Sequence, residues 1–103
     1  MNGKTISNFI SDLYYNSETE FVYQNMRYII SGYIDNNEYT LELYNISQDK
    51  CLFKMTDISR QKCVEDFEEA PVFNDKTIYD VEKDITVLYG WYQLEKMIWL
   101  LEK

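Results

Sequence analysis

The chain has 103 residues, a formal charge of −8, one proline, two cysteines and no histidine. That length closes one hydrophobic core rather than two, and 46% hydrophobic with 17% aromatic residues excludes a disordered chain. The acidic balance argues against direct binding of nucleic acid or an anionic membrane, which needs clustered Lys and Arg, and the absence of histidine removes the usual general base and the commonest metal ligand.

Taken in chain order, the first element is helical. Ile6, Phe9, Ile10 and Leu13 fall at i, i+3, i+4 and i+7, an amphipathic stripe. Thr5 is placed to cap it and Asn16-Ser17 to end it. A helix this short is marginal alone, so the stripe is expected to pack on the sheet that follows. Residues 19–23, 27–34, 38–44 and 51–55 are rich in β-branched and aromatic residues and predict three or four antiparallel strands. Gln24-Asn25 and Asp35-Asn36-Asn37 supply turns, since Asn tolerates positive φ. In the third strand Tyr39, Leu41 and Leu43 share one face. Glu38, Thr40 and Glu42 take the other, so one side of the sheet is expected to meet water. Tyr44 points outward with Thr40 and Glu42. Cys51, Phe53 and Met55 are expected to share a face.

From Asp57 the period becomes helical. Asp57 or Ser59 caps a helix through about Glu69, with Cys63, Val64 and Phe67 inward. Ala70-Pro71 breaks it. Thr77 and Asp80 fit a capping box, opening a stripe of Ile78, Val81, Ile85, Leu88 and Tyr89. Gly90 either ends that helix or lies inside a longer one. A last helix over 91–103 carries Trp91, Leu94, Ile98 and Leu101 on one face. Tyr92, Met97, Trp99 and Leu100 make it apolar over most of its circumference. The expectation is one α+β domain over 1–103: an N-terminal helix, an antiparallel meander of three to four strands, then two to three C-terminal helices.

The charge is concentrated. Between Val64 and Asp84 eight acids face two bases, which leaves −6 of the total −8. Glu65, Glu68 and Glu69 stand at i, i+3 and i+4 on one helical side, about 5–6 Å apart at Cβ. DNA phosphates advance about 3.4 Å per nucleotide along one strand. Carboxylates at the helical spacing therefore approximate every second phosphate of a duplex edge. The same surface also serves simple solubility. Calcium or magnesium is the weaker alternative, because calcium loops carry a glycine at their bend and none occurs here.

Catalysis has little raw material. Without histidine nothing of the usual kind activates Ser or Cys. Cys51 and Cys63 read as buried core thiols, and their spacing of twelve fits no zinc pattern. Gly3, Gly32 and Gly90 are the only glycines, so no phosphate-cradling loop exists. No catalytic residue, metal or cofactor is expected. Ten tyrosines favour interfaces, because tyrosine buries area with two torsions to fix. The first fifteen residues hold no continuous apolar run, no stretch reaches eighteen apolar residues, and two thiols suit a reducing compartment. The cytoplasm of a bacterial host is the expected location.

The segments Phe21-Val22-Tyr23, Arg27-Tyr28-Ile29-Ile30-Ser31-Gly32-Tyr33, Tyr39-Thr40-Leu41-Glu42-Leu43, Cys63-Val64-Glu65-Asp66-Phe67-Glu68-Glu69-Ala70-Pro71-Val72-Phe73 and Lys76-Thr77-Ile78-Tyr79-Asp80-Val81-Glu82 together resemble small proteins of mobile elements and phages in Gram-positive bacteria. The resemblance covers roughly residues 20 to 85. It is one of type, and no binding motif carries over residue by residue. Proteins of this make-up include anti-CRISPR proteins, several of which block a CRISPR effector nuclease at its nucleic-acid-binding surfaces. The resemblance implies a non-enzymatic inhibitor of a partner with a basic surface. Its candidate contacts are Glu65, Asp66, Glu68, Glu69, Asp80, Glu82 and Asp84, with Tyr44 as an exposed aromatic. The runner-up is a small structural or interaction protein of a mobile element that forms a homodimer through Trp91, Ile98 and Trp99. An immunity protein against a nuclease toxin shares the acidic surface and is the third reading.

Overall fold

A computed structural model describes residues 1–88. Helix α1 spans Ile6–Asp12, with the Thr5 side chain accepting from the Asn8 amide as its cap. It ends sooner than Asn16-Ser17, at Leu13. Four strands follow: β1 (Ser17–Tyr23), β2 (Met26–Asp35), β3 (Glu38–Asn45) and β4 (Lys50–Asp57). Gln24 and Asn25 join the first pair, with φ of 51° and 62°, and Asn36 and Asn37 the second, with 52° and 65°. Positive φ at both central residues is what a two-residue hairpin needs to match the strand twist. Helix α2 (Arg60–Glu69) is capped by Ser59, whose side chain accepts from the Lys62 amide. Helix α3 (Ile78–Val81) has the expected reciprocal capping box between Thr77 and Asp80.

The expected helical stripe stops there. A 3-10 turn at Glu82–Asp84 leads into a fifth strand, β5 (Thr86–Leu88). Ile85 and Leu88 stand at helical spacing, but Ile85 and Val87 also alternate with Thr86. The strand period wins because β1 offers an edge: Phe21 pairs with Val87 and Val22 with Thr86. The sheet therefore has five strands rather than three or four, in the antiparallel order β4-β3-β2-β1-β5. One helix precedes the hairpins and two follow them. The expected helix over 91–103, with Tyr89 and Gly90 before it, lies outside the described residues.

All three helices pack on one face of the sheet. Phe9 and Leu13 of α1, Cys63, Val64 and Phe67 of α2, and Ile78 and Val81 of α3 join Phe21, Ile30, Leu41 and Leu43 in a single buried cluster. Its aromatic centre is Phe73, from the loop after Pro71. Its ring lies 6.2 Å from that of Phe21, 5.6 Å from Tyr23 and 5.7 Å from Tyr28. Phe21 and Tyr28 stack at 5.2 Å. Such pairs add about 0.5–1.5 kcal/mol beyond area burial.

A second knot fixes α1 to the sheet. Gly32 of β2 has no side chain, and the Tyr39 ring from β3 leans across it. A Cβ at Gly32 would stand 1.9 Å from the Tyr39 hydroxyl. That hydroxyl donates to the Leu13 carbonyl, and Arg60 donates to the Tyr14 carbonyl at 2.5 Å. The Arg60 guanidinium also sits 4.9 Å from the Tyr39 ring centre. Carbonyls left without intrahelical partners at the end of α1 thereby gain donors from both β3 and α2.

Two expectations about faces are corrected. Cys51 is exposed and Cys63 buried. A bulge after Leu43 shifts the register, so that Phe53 pairs with Leu43 but Cys51 with Tyr44. The extra residue, Leu52, turns Cys51 away from the core face that Phe53 and Met55 keep. Thr40 lies on the outer face as expected but is buried there. Its hydroxyl shares a 2.7 Å hydrogen bond with that of Thr56 on β4. Burial pushes the Cys63 thiol above its usual range, with the charge of Asp57 adding to the effect.

Candidate interaction site on the acidic helix face

Helix α2 buries Cys63, Val64 and Phe67 completely. That choice of inward stripe dictates the rest: Glu65, Asp66 and Glu69 are exposed and Glu68 is half-buried. The Glu65 carboxylate accepts a 2.8 Å bond from Gln61, one turn earlier. Glu68 accepts from the hydroxyl of Tyr79 on α3. Glu65, Glu68, Glu69 and Tyr79 line a shallow depression of about 240 Å³.

The field of these carboxylates is visible at two phenols. The Tyr79 phenol is pushed up to about 12, first by its hydrogen bond to Glu68, then by partial burial and by the charges of Glu68 and Glu82. The Tyr14 phenol is raised as well, first by partial burial, then by Glu68 and Glu65. Glu68 thus bonds the hydroxyl of Tyr79 and its charge also reaches Tyr14. Tyr79 remains 47% exposed, so its ring is available to a partner.

The charge order along α2 runs against helix stability. A helix carries about half a positive charge at its N-terminus and half a negative charge at its C-terminus. Stabilising placement puts acids first and bases last. Helix α2 has no acid in its first turn and no base in its last. It begins with Arg60 and Lys62 and ends with Glu68 and Glu69. The ion pairs among the described residues are Lys4–Asp12, Arg27–Glu20 and Lys62–Asp57. None of them neutralises Glu65, Glu68 or Glu69.

The remaining candidates are more scattered. Asp66 sits one turn from Lys62, on another flank of α2 from Glu65 and Glu68. Asp80 accepts from the Thr77 amide at 3.0 Å and closes the capping box, although it stays exposed. Glu82 is close enough to raise the Tyr79 phenol. Asp84 is exposed at the end of the 3-10 turn. Tyr44 lies on the opposite face of the sheet, paired with Ile29, and so stands apart from the acidic face. Trp91, Ile98 and Trp99 lie outside the described residues. Sequence alone does not set Tyr79 and Tyr14 apart from the other tyrosines. Tyr79 falls between the buried Ile78 and Val81, which places it off the inward stripe. Its meeting with Glu68, eleven residues earlier across the Pro71 turn, has no local sequence signal.

Among the described residues no three acidic or cysteine side chains are grouped to hold a metal ion. No helix among them is long and apolar enough to cross a membrane. No known protein family matches the chain, and no curated protein and no solved structure is similar to it. The fold class, α+β with one antiparallel sheet, is thus read from the coordinates alone.

Proposed function

We propose that this protein is a non-enzymatic inhibitor that binds a basic surface of a nucleic-acid-handling protein, most concretely a CRISPR effector nuclease. In this reading Glu65, Glu68 and Glu69 take the place of phosphates. Tyr79 adds an aromatic contact beside them, and Glu82 extends the field. Asp66, Asp80 and Asp84 contribute long-range attraction rather than the central contacts. The observation that supports this most is the order of charge on α2. Asp66, Glu68 and Glu69 crowd a last turn that prefers cations, with no base there to relieve them. Sequences are locally consistent with their folds except where function overrides. An acidic surface of this kind steers a basic partner and fixes its orientation.

The test is a binding titration against a purified CRISPR effector nuclease from a Gram-positive host, with the chain and with Glu65→Lys/Glu68→Lys/Glu69→Lys. The parent chain binds and competes with nucleic acid, more weakly as salt rises. The reversed chain keeps its circular dichroism and loses binding. Equal binding by both chains, or binding that ignores salt, rejects the acidic-face mechanism. A basic nuclease toxin in the same titration separates the immunity-protein reading, since it shares the surface and differs only in partner.

A further inference from the structure

The two edges of the sheet differ. At one edge β5 is three residues long, and Asn2 bridges to Thr86 beside it. The Asn2 amide donates to the Ile85 carbonyl and the Val87 amide to the Asn2 carbonyl, both at 2.9 Å. At the other edge β4 is eight residues long, and no described strand lies beside it. The register shows which of its backbone groups are open. The Ile46 amide donates to the Arg27 carbonyl on β2. By alternation Tyr39, Leu41 and Leu43 turn their amides and carbonyls to β4, where Asp57, Met55 and Phe53 meet them. Lys54 and Thr56, which alternate with those three, direct theirs to the open edge.

A free edge is a template for another strand, and proteins protect it by shortness, proline, a bulge or a charge pointing inward. From Phe53 to Thr56, β4 has none of these. Phe53 and Met55 pack against the core but stay half-buried. Leu41 and Leu43, one strand further in, are fully buried. An added strand completes the cover of Phe53 and Met55. Charge defines the kind of strand. Residues 50–62 hold Lys50, Lys54, Arg60 and Lys62 against one acid, Asp57, in a chain of formal charge −8. Lys54 is exposed between Phe53 and Met55. Glu42 stands opposite it on β3, but no ion pair among the described residues engages Lys54. A second copy fits poorly. Antiparallel pairing of two β4 strands through Lys54 and Thr56 sets Lys54 opposite itself, or Asp57 opposite Phe53 or Met55. Like charges directly opposite are destabilising, and a carboxylate on the apolar side loses its water.

We propose that the β4 edge receives an extended segment of another protein, with an acidic residue opposite Lys54 and apolar residues opposite Phe53 and Met55. The backbone of Lys54 and Thr56 supplies the pairing, and the side chains beside it supply the choice of partner. This edge is separate from the depression lined by Glu65, Glu68, Glu69 and Tyr79, and the contact does not depend on the inhibitor reading.

The experiment is an NMR titration of the isotope-labelled full chain. One probe is the end-blocked peptide Val-Thr-Val-Glu-Ile-Thr-Val, and the other is its twin with lysine in place of glutamate. The glutamate peptide should shift the amide resonances of Lys54 and Thr56 and bind about fivefold more tightly than its twin. Lys54→Glu should reverse that order with the circular dichroism of the sheet retained. Lys54→Gln, read in its place if that variant loses its sheet signal, should bring the two peptides level. In the free chain the amides of Lys54 and Thr56 should exchange with solvent faster than that of Met55. Peptides that leave both amides unmoved overturn the proposal, as does equal binding of the two peptides to the parent chain. So does a preference that survives the substitution of Lys54. Slow exchange at Lys54 and Thr56 in the free chain also overturns it. At every concentration, such protection assigns the edge to another part of this chain. Protection that grows with concentration, with the sedimentation mass of a dimer, assigns it to a second copy.

Discussion

The two ends of α2 carry opposite charge, and the fold treats them differently. At the N-terminal end Arg60 is a cation at the positive pole of a helix, a poor placement by itself. The chain explains it through other contacts. Arg60 donates to the Tyr14 carbonyl and covers the Tyr39 ring, and Lys62 lies 3.8 Å from Asp57. At the C-terminal end Glu68 and Glu69 are anions at the negative pole. Glu68 accepts a hydrogen bond from the hydroxyl of Tyr79, and no ion pair among the described residues answers Glu69. The first misplacement serves the fold; at the second, Tyr79 answers Glu68, and Glu69 has no such account within the described residues. That contrast is the basis on which a partner is proposed.

The comparison can be broken first at the structural end. Gly32→Ala drives a methyl group into the Tyr39 hydroxyl, expels the ring and removes the anchor of α1. Overpacking of that kind costs about 3 kcal/mol, seen as a lower denaturant midpoint. Tyr39→Phe keeps the ring and the Arg60 contact but loses the donor to Leu13. The expected loss is about 1–2 kcal/mol, since a buried carbonyl goes unpaired. If Tyr39→Phe is neutral, the knot is packing alone. Gln24→Asn places a residue that tolerates positive φ where φ is 51°. It should gain about 0.5 kcal/mol, and this change at a distant hairpin end should leave partner binding unaltered.

The acidic end makes a prediction about pH. The ordinary tyrosine value is 10.0, and that of Tyr79 is raised to about 12. A group that binds its proton more tightly when folded contributes stability that is fully present below pH 10. That contribution is lost as pH rises through about 12. Glu68→Gln removes the charge and most of the shift. An NMR titration of the tyrosine ring resonances should then show Tyr79 ionising earlier than in the parent chain. An unmoved titration contradicts the Glu68–Tyr79 contact.

Much of this architecture is legible because its causes are local. Thr5, Ser59 and Thr77 cap helices with side chains three residues from their partners. Asn25, Asn36 and Asn37 make hairpins because they accept positive φ. What escapes the sequence depends on a distant strand. Ile85 and Leu88 satisfy a helical stripe, while Ile85 and Val87 satisfy a strand alternation. Only the free edge of β1 decides between them. Cys51 looks inward by simple alternation, and a one-residue bulge against β3 turns it out. The acidic face follows the same rule. Glu65, Glu68 and Glu69 are grouped by helical spacing and could be read directly. Tyr79 joins them only because the Pro71 turn and the buried Phe73 fold α3 back beside α2. Tyr44, the aromatic that sequence proposed for the site, is placed on the other face by the same strand alternation that turns Leu43 into the core.

The central claim is that the carboxylates at the end of α2 are held against the preference of the helix. Glu69→Lys tests it in one denaturant titration. Glu69 is exposed, so its replacement disturbs no packing, and it exchanges an unfavourable end charge for a favourable one. The account predicts a higher midpoint with an unchanged slope, a gain of about 1 kcal/mol. A lower midpoint would contradict it, because Glu69 would then be serving the fold and the charge order of α2 would need no partner.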